Sequence, residues 1–200
     1  MAERQRPAAE SGVQRGGGPT RSWRLFPRFL ACREAQALFD ELRRSVSWQQ
    51  ETIVMFGRAA PVPRLVAWYG DAGLNYRYSG NDHHCAGWPE TLRALCRRVS
   101  ACSGFESNFV LLNRYRDGRD YMGWHRDDER GLGAEIASLS LGAERRFLVE
   151  DPVCAATATL TLGHGALLVM PGTLRHCLPK TRRPVEERIN LTFRRLRQIR

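Results

Sequence analysis

The sequence predicts a mainly β, α+β protein whose strands form a sandwich or a barrel. Past residue 105, short apolar stretches follow one another, separated by Gly, Pro and charged turns, which is the pattern typical of these folds. Two stretches with helical periodicity precede them, and we expect these helices to brace one sheet. With 200 residues, the chain is long enough for one domain with a substantial core.

The N-terminal part of the chain is expected to consist of an arm followed by the first of two bracing helices. Residues 1–20 are rich in Gly, Arg, Pro and Ala, a composition that predicts a disordered basic arm, and residues 21–200 are expected to form a single domain. Apolar side chains then recur at helical spacing in two places. They are Leu30, Ala31, Ala35, Leu38, Phe39 and Leu42 in the first helix, and Leu92, Leu95, Cys96 and Val99 in the second.

The segment between the helices carries two features with open alternatives. TIVMF (52–56) indicates an apolar strand that ends at Gly57, which fits either an ordinary hairpin with Phe56 in the core or an exposed finger. Further on, Tyr76 and Tyr78 share one side of a polar, Gly-bounded stretch. Such aromatic residues fit a base-stacking platform and a sandwich core equally well.

His83, His84 and Cys85 follow directly and are metal-ligand types. Structural zinc sites combine such residues with a second, spaced group of ligands, and this stretch lacks a partner at a matching spacing. We therefore interpret it as a polar loop. His164, between two glycines at the start of a later strand, is interpreted as structural.

Six stretches in the C-terminal half are predicted to be strands of the sandwich or barrel. Each is short, rich in apolar or β-branched residues, and bounded by turn residues. The stretches are 107–115, 136–142, 145–150, 156–162, 165–170 and 189–193.

A His-x-Asp pair, His125 and Asp127, lies just past a Gly-containing turn. Residues two apart on an extended segment point to the same side, so this imidazole and carboxylate can converge on one point. A second imidazole would complete a facial set of two His and one carboxylate, which leaves coordination positions open and suits non-haem Fe(II). The best candidate for this third ligand is His176.

The last predicted strand carries polar and apolar residues in alternation, with Arg188, Asn190, Thr192 and Arg194 at every second position. An isolated pattern of this kind indicates an edge strand with one solvated face. Beside an iron site it has a second interpretation, because an Arg fork binds a carboxylate through two hydrogen bonds. A dicarboxylate that chelates the metal would need such an anchor at its far end. Arg188 and Arg194 lie about 20 Å apart along a strand, so we expect them to have different roles.

With these motifs, the chain resembles the AlkB family of Fe(II)- and 2-oxoglutarate-dependent dioxygenases. The matching segments are NRY (113–115), HRDDE (125–129), HGALLVM (164–170), the His176 region and RINLTFR (188–194), and upstream VPR (62–64) and YGDAGLNYRYSG (69–80) resemble the branch that repairs alkylated duplex DNA. The resemblance covers most of the chain from about residue 50. It implies a double-stranded β-helix, or jelly roll, over about residues 105–200 and a nucleotide-recognition lid over about residues 50–85.

The resemblance also implies a role for each candidate site residue. Fe(II) would be bound by His125, Asp127 and His176. Arg188 would grip the far carboxylate of 2-oxoglutarate with help from Tyr115 and Thr192. The full set implied for the co-substrate is Asn113, Tyr115, Arg188, Asn190, Thr192 and Arg194, with Asn113 and Arg194 near the metal-binding end. The set implied for the substrate is Phe56, Arg58, Arg64, Tyr76, Tyr78, Ser79 and Glu129.

By the same resemblance, the reaction is oxidative demethylation of 1-methyladenine and 3-methylcytosine in DNA. 2-Oxoglutarate and O2 are consumed, succinate and CO2 are formed, and the methyl group leaves as formaldehyde. Phe56 would be the wedge of a finger that fills the gap left by a flipped base. Arg58 and Arg64 would hold phosphates on either side, and Glu129 would face the exocyclic amine of the base.

The composition limits the kinds of partner and the cellular location that we expect for the protein. The net charge of +10 favours a polyanionic partner over a membrane, and no apolar run approaches the length of a membrane span. Six Cys without a C-x-x-C pair or a secretory signal indicate reduced thiols in the cytoplasm. We expect a monomer that acts on DNA, at the nucleoid of a bacterium or in the nucleus of a eukaryote.

Three alternatives remain open from the sequence. An Fe(II)- and 2-oxoglutarate-dependent oxygenase that acts on RNA or protein would keep the same triad. A Zn hydrolase on the same scaffold would not need the Arg188 anchor and would work without oxygen. A non-catalytic nucleic-acid-binding module would use the positive charge but would leave the complete triad without a purpose.

Overall fold

The computed structural model describes residues 12–16, 23–55, 58–78, 81–129, 131–150 and 156–197. Within them the chain forms two helices, α1 (Cys32–Ser45) and α2 (Glu90–Ser103). The strands, in chain order, are β1 (Gln14–Gly16), β2 (Trp23–Phe26), β3 (Thr52–Met55), β4 (Arg58–Pro61), β5 (Leu65–Gly70), β6 (Asn75–Tyr78), β7 (Asn81–His84), β8 (Phe109–Tyr115), β9 (Met122–His125), β10 (Glu135–Gly142), β11 (Arg145–Glu150), β12 (Thr157–Leu162), β13 (Leu167–Pro171), β14 (His176–Leu178) and β15 (Arg188–Arg194).

The strands from β8 to β15 form a sandwich of two antiparallel sheets. The larger sheet has the order β1-β2-β13-β10-β15-β8-β5, and the smaller sheet has the order β12-β11-β14-β9. The chain crosses from one sheet to the other at almost every connection from β8 onward. This topology is the predicted jelly roll, with β2 and β1 added at one edge of the larger sheet and β5 at the other.

Both helices pack on the larger sheet, as expected of bracing helices. The buried faces of α1 and α2, which include Leu42 and Val99, belong to one apolar cluster with alternate residues of the sheet strands. From β15 this cluster takes Ile189, Leu191 and Phe193. Burial of an amphipathic face in this way provides most of the stability of a helix in a folded protein. Neither described helix is long and apolar enough to cross a membrane.

A second apolar cluster fills the space between the two sheets. It contains Ile136, Leu168 and Met170 from the larger sheet and Phe147 and Leu178 from the smaller one. Successive residues of a strand point to opposite faces of its sheet, so the larger sheet contributes to both clusters. β13 is accordingly apolar on both sides, whereas β10 and β15 keep one polar face.

Two short hairpins, β3–β4 and β6–β7, form separate two-stranded sheets outside the sandwich. They fall in the segment predicted as the lid, about residues 50–85, but β5 between them pairs with β8 in the larger sheet. His83 lies in β7 and is buried, so the polar-loop interpretation of the His83–Cys85 stretch was wrong. Its imidazole has polar partners inside the protein, which the sequence spacing does not reveal.

The predicted arm over residues 1–20 needs one correction. Gln14–Gly16 form β1, which pairs antiparallel with β2. The polar composition misled the prediction because an edge strand is held by backbone hydrogen bonds to its neighbour and needs no apolar side chains of its own. Residues 1–11 and 17–20 lie outside the described residues.

Candidate active site

Two neighbouring strands of the smaller sheet bring the predicted metal ligands together. β9 ends at His125 and β14 begins at His176, and these two residues are direct partners in the antiparallel pair. Their ring centroids lie 4.2 Å apart, and Asp127 follows β9 by two residues. One ligand atom from each of the three residues lies within 4.8 Å of the others. A single metal ion could therefore contact all three.

Both imidazoles are oriented with Nε2 available to a metal. Nδ1 of His125 lies 2.9 Å from the carbonyl oxygen of Gly123, and Nδ1 of His176 lies 2.8 Å from that of Leu174. A carbonyl only accepts hydrogen bonds, so each Nδ1 carries the hydrogen and each neutral ring keeps its lone pair on Nε2. Burial lowers the pKa of His176 to about 4, and the neighbouring His125 adds to the effect. His176 is therefore neutral at neutral pH.

Asp127 presents one oxygen to the imidazoles and the other to an arginine. Its Oδ1 accepts a hydrogen bond from Nη2 of Arg194 at 2.6 Å, while its Oδ2 lies 3.5 Å from Nε2 of His176. Burial by itself would raise the pKa of this carboxyl group. The positive charge of Arg194 is the main effect that opposes burial, and the pKa of Asp127 lies below its usual value. Asp127 is therefore an ionised ligand.

The backbone of Asp127 is held by Gly172, in the turn after β13. The Asp127 N–H donates to the Gly172 carbonyl at 2.9 Å, and the Gly172 N–H donates to the carbonyl of Ala134 at 2.8 Å. A Cβ at position 172 would collide with the carbonyl oxygen of Asp127, so this close approach requires glycine. Gly172 was not among the residues predicted from the sequence, although the Pro-Gly pair at 171–172 is a turn signal.

The polar face of β15 lines the same cavity as the triad. All seven residues of β15 are buried in the centre of the larger sheet, so the alternative of an edge strand with a solvated face was wrong. β8 contributes from the neighbouring position, where Tyr115 pairs with Arg188 and Asn113 with Asn190. The polar lining beside the triad consists of Asn113, Tyr115, Ser138, Arg188, Asn190, Thr192 and Arg194.

Arg188 is a deeply buried cation in this cavity. It is 2% exposed, its Nη2 donates to Oγ of Ser140 at 2.8 Å, and its guanidinium carbon lies 5.5 Å from the centre of the Tyr115 ring. Its Nε is buried and has no hydrogen-bond partner within the described part of the chain. Burial lowers the pKa of Arg188 to about 10, and the ionisable groups that act on it are Tyr115 and Arg145, not a carboxylate. A buried charge without a counter-ion is destabilising, so the cavity is suited to receive an anion.

Two serines of β10 support the polar face and were not predicted from the sequence. Ser138 Oγ accepts a hydrogen bond from Nδ2 of Asn190 at 2.7 Å, and Ser140 Oγ accepts the one from Arg188. The alternation of Ser with Leu at 138–141 is the signal that could have identified them. Thr192 donates to Oδ1 of Asn190 at 3.0 Å, so its hydroxyl hydrogen is already engaged and supports Asn190.

Arg64 occupies a different place from the predicted phosphate contact. It is 5% exposed, and its Nε donates to Oδ1 of Asn113 at 2.8 Å. The prediction was wrong because β5 begins at the next residue and pairs with β8, with Val66 opposite Asn113, which draws Arg64 inward. Arg58, the other predicted phosphate contact, is exposed at the start of β4.

Tyr76 is packed in the protein, so the structure favours the core alternative for this residue over an open stacking platform. It is 5% exposed, and its ring centre lies 5.0 Å from that of Phe109. Its hydroxyl lies 2.6 Å from Nη1 of Arg194, so Tyr76 supports the arginine that holds Asp127. The remaining predicted substrate residues Phe56 and Ser79, and the side chain of Tyr78, lie outside the described residues.

Glu129 lies close enough to Arg194 for that positive charge to act on its carboxyl group. Its Oε2 is buried and makes no hydrogen bond within the described residues. Burial raises the pKa of Glu129, and the positive charge of Arg194 opposes that rise. A buried acceptor without a donor is destabilising, so this oxygen is available to accept an N–H from a ligand.

A groove of about 670 Å³ lies where the chain leaves β14. Its basic walls include Arg146, Lys180, Arg182 and Arg183, and Glu144 is the acidic residue of the lining. The net charge predicted a polyanionic partner but gave no location for it. The run KTRR at 180–183 is the sequence signal that could have located this basic groove.

Residues 22–194 match the family described as the 2OG-Fe(II) oxygenase superfamily. The chain belongs to this superfamily. The oxygenase is similar to the human "DNA oxidative demethylase ALKBH2", 36% identical over 96% of this chain and 84% of the relative. It is also similar to the human "Alpha-ketoglutarate-dependent dioxygenase alkB homolog 3", 36% identical over 85% of this chain and 64% of the relative. These identities confirm the predicted AlkB family.

Among solved structures, the oxygenase is similar to OsALKBH1, with a TM-score of 0.63, 15% identity, and coverage of 86% of this chain and 96% of that one. At this identity the likeness concerns the fold, which is the jelly roll described above. The residues present fit the groups that the superfamily name implies. Two neutral imidazoles and a carboxylate suit Fe(II), and the buried Arg188 suits a dicarboxylate.

Proposed function

We propose that the oxygenase removes N-methyl groups from 1-methyladenine and 3-methylcytosine in DNA, with 2-oxoglutarate and O2 as co-substrates. The observation that carries the proposal is that one cavity combines the His125–Asp127–His176 triad with the buried Arg188. The relative named as a DNA oxidative demethylase, which covers nearly the whole chain, supports DNA as the substrate.

The triad residues would hold Fe(II), with the Nδ1 hydrogen bonds of His125 and His176 and the Arg194 contact of Asp127 fixing their orientations. The bound metal would supply oxidation of the N-methyl carbon by O2, coupled to decarboxylation of 2-oxoglutarate to succinate. The hydroxymethyl group then leaves the nitrogen as formaldehyde, and the unmodified base remains.

Arg188 would bind the far carboxylate of 2-oxoglutarate. Its buried Nε offers an N–H that has no acceptor within the described residues, and the neighbouring Tyr115 ring fixes the guanidinium. A carboxylate placed there would neutralise the buried charge and occupy the free donor. Because Thr192 donates to Asn190, its part in the site is to orient that amide.

Glu129 would recognise the target base through its exocyclic amine. Its Oε2 makes no hydrogen bond within the described residues, and its carboxyl group lies close enough to Arg194 to be affected by that charge. An amine N–H would complete the hydrogen bonding of Oε2. The methyl group must reach a buried metal, so the nucleotide has to leave the base stack. Recognition of its polar edge would then favour an adenine or a cytosine.

Action on duplex DNA would require a wedge, and Phe56 is the candidate. Met55 and Arg58 are paired across the β3–β4 hairpin, and residues 56 and 57 connect them in the sequence. An apolar side chain inserted into the stack offsets the cost of removing a base, and the exposed Arg58 could contact the adjacent phosphate. One chain provides both the triad and the Arg188 anchor, so a monomer is sufficient for the reaction. The enzyme would act where the cell keeps its DNA.

The test uses the full chain with Fe(II), 2-oxoglutarate and air. Oligonucleotides with one 1-methyladenine are offered as single-stranded DNA, duplex DNA and RNA of the same sequence, and succinate, formaldehyde and repaired base are measured. We expect formaldehyde and repaired base in equal amounts from DNA, and none from the His176→Ala variant. The proposal would be contradicted if RNA or a protein substrate stimulated turnover and DNA did not. In that case the enzyme would act on RNA or protein.

A further inference from the structure

The two hairpins outside the sandwich are held in place by contacts other than the main sheets. β3–β4 and β6–β7 each form a two-stranded sheet of their own, and a lone two-stranded hairpin is marginally stable in water. β6 has apolar support, because Leu74 and Tyr76 pack with Phe109 and Leu111 of β8. Both hairpins are anchored to β5, the first through the Gln49–Val66 bridge that precedes it and the second through the Trp68 indole, which donates to the His84 carbonyl. Side chains that reach from one hairpin to the other add a direct link between them.

One such contact joins Glu51, at the base of the β3–β4 hairpin, to His83 of β7. The carbonyl of Glu51 accepts from the N–H of Val62, which closes the hairpin base. Its side-chain Oε1 lies 2.6 Å from Nε2 of His83, and the two side chains are 10% and 1% exposed. The His83 ring also meets the edge of the Trp68 ring, with centroids 4.3 Å apart.

His83 uses both ring nitrogens. Nδ1 lies 3.0 Å from the carbonyl oxygen of Tyr76, which can only accept, so Nδ1 carries a hydrogen. The other ring nitrogen, Nε2, lies 2.6 Å from Oε1 of Glu51, within hydrogen-bond distance. A buried hydrogen bond of this kind is among the stronger ones in proteins. His83 therefore contacts both the backbone of β6 and the side chain of Glu51.

Tyr76 extends this connection to the metal centre. Its hydroxyl lies 2.6 Å from Nη1 of Arg194, and Nη2 of Arg194 lies 2.6 Å from Oδ1 of Asp127. A continuous set of hydrogen bonds and backbone thus runs from the base of the first hairpin, through His83 and the second hairpin, to a metal ligand.

We propose that His83 and Glu51 are positioning residues that hold the two hairpins together as one clamp for the nucleic acid. This inference rests on the proposed function, because it assigns the clamp to nucleic-acid binding. The pair touches neither the metal ligands nor Arg188. Removal of the pair should therefore weaken binding of the polymer and leave the chemistry at the metal intact.

The experiment compares Glu51→Ala and Glu51→Gln in the full chain with methylated duplex DNA. Glu51→Ala should raise KM for the DNA about tenfold, equivalent to about 1.4 kcal/mol, with kcat nearly unchanged. Glu51→Gln should restore near-normal KM, because either end of its amide can face Nε2 of His83. The slow 2-oxoglutarate turnover without DNA should be the same in all variants.

The matched control is His84→Ala, which removes an exposed imidazole next to His83 and should leave KM unchanged. A purely structural role would lower Tm, kcat and DNA-free turnover together, and this result would overturn the proposal. An unchanged KM in Glu51→Ala would overturn it as well.

A second readout does not depend on the substrate. Amide hydrogen exchange in residues 75–84 should accelerate in Glu51→Ala and not in Glu51→Gln, in protein without DNA. If no nucleic acid is demethylated by the wild type, the proposed function fails while this exchange result still decides whether the pair joins the hairpins. Equal exchange in both variants would show that it does not.

Discussion

Each predicted metal ligand uses one atom to contact the protein and leaves another atom for the metal. Asp127 gives one oxygen to Arg194 and keeps the other beside His176, and each imidazole gives its Nδ1 hydrogen to a backbone carbonyl. Every ligand is thus held by an atom that the metal does not need.

The first prediction concerns those ligands. His125→Ala, Asp127→Ala or His176→Ala should lower demethylation more than about a hundredfold, since a change in the residues behind a ligand alone costs about 10–100-fold. The circular dichroism spectrum should be unchanged, because none of the three ligands is a member of an apolar cluster. Iron content and turnover are measured together. Near-normal turnover in any one of the three variants would refute the triad.

The second prediction concerns Arg188. Arg188→Lys keeps a charge but loses the planar fork, so KM for 2-oxoglutarate should rise about tenfold or more, equivalent to about 1.4 kcal/mol, with iron affinity unchanged. Arg188→Met removes a buried charge that has no carboxylate partner within the described residues, so the Tm of the ligand-free protein should not fall. Added 2-oxoglutarate should raise the Tm of the wild type and not that of Arg188→Met. Equal stabilisation of both would place the anchor elsewhere.

At the scale of elements, β15 serves the core and the site at once. Its apolar residues Ile189, Leu191 and Phe193 enter the cluster beneath the helices, while its polar residues line the cavity. The alternation that defines these two faces is visible in the sequence, so the site face could be predicted. Whether the strand lies at an edge or in the centre of its sheet depends on pairing partners far along the chain, which one strand does not encode.

The same limit explains the errors at Arg64 and His83. Each residue looks like a surface group in its local sequence, and each is buried because a distant element covers it. Asn113 of β8 accepts the hydrogen bond of Arg64, and Glu51 meets His83. The triad was easier to predict, since two of its ligands lie two residues apart and their chemistry restricts the third to a histidine.

The third prediction concerns the turn after β13. Gly172→Ala should push the Asp127 backbone away and lower iron affinity about 10–100-fold, as other changes behind metal ligands do. Gly123→Ala is the matched control, because a Cβ at position 123 meets nothing within 4 Å. Iron binding is measured by titration of the metal-free protein. Equal affinity in the two variants would show that Gly172 does not position the ligand.

At the scale of the whole molecule, the net charge is +10. Several of the basic residues are concentrated in the groove near β14 and in the exposed loop that follows this strand. The sequence predicted the sign of the partner's charge from composition. It did not predict the location, because arginines occur along the entire chain and only folding brings Arg146 beside residues 180–183.

The fourth prediction tests this surface. The double variant Arg182→Glu and Arg183→Glu should weaken DNA binding, and the slope of log Kd against log salt should fall by about 0.9 for each phosphate that the protein no longer neutralises. The control with the same charge change, Arg33→Glu and Arg44→Glu, lies on the exposed side of α1. Binding is measured by fluorescence anisotropy across a salt series. Equal slopes in both double variants would show that the groove does not bind the DNA backbone.

The position of the triad has a consequence for a cell that runs short of iron. His125 and His176 belong to the smaller sheet, and Asp127 is tied through Gly172 to the end of β13 in the larger one. An ion held by these three residues would therefore link the two sheets, while the helices pack on the larger sheet independently of it. Loss of the ion should loosen the link between the two sheets and leave the apolar clusters intact. The inactive chain would remain folded, and repair capacity would return with iron supply instead of waiting for new protein synthesis.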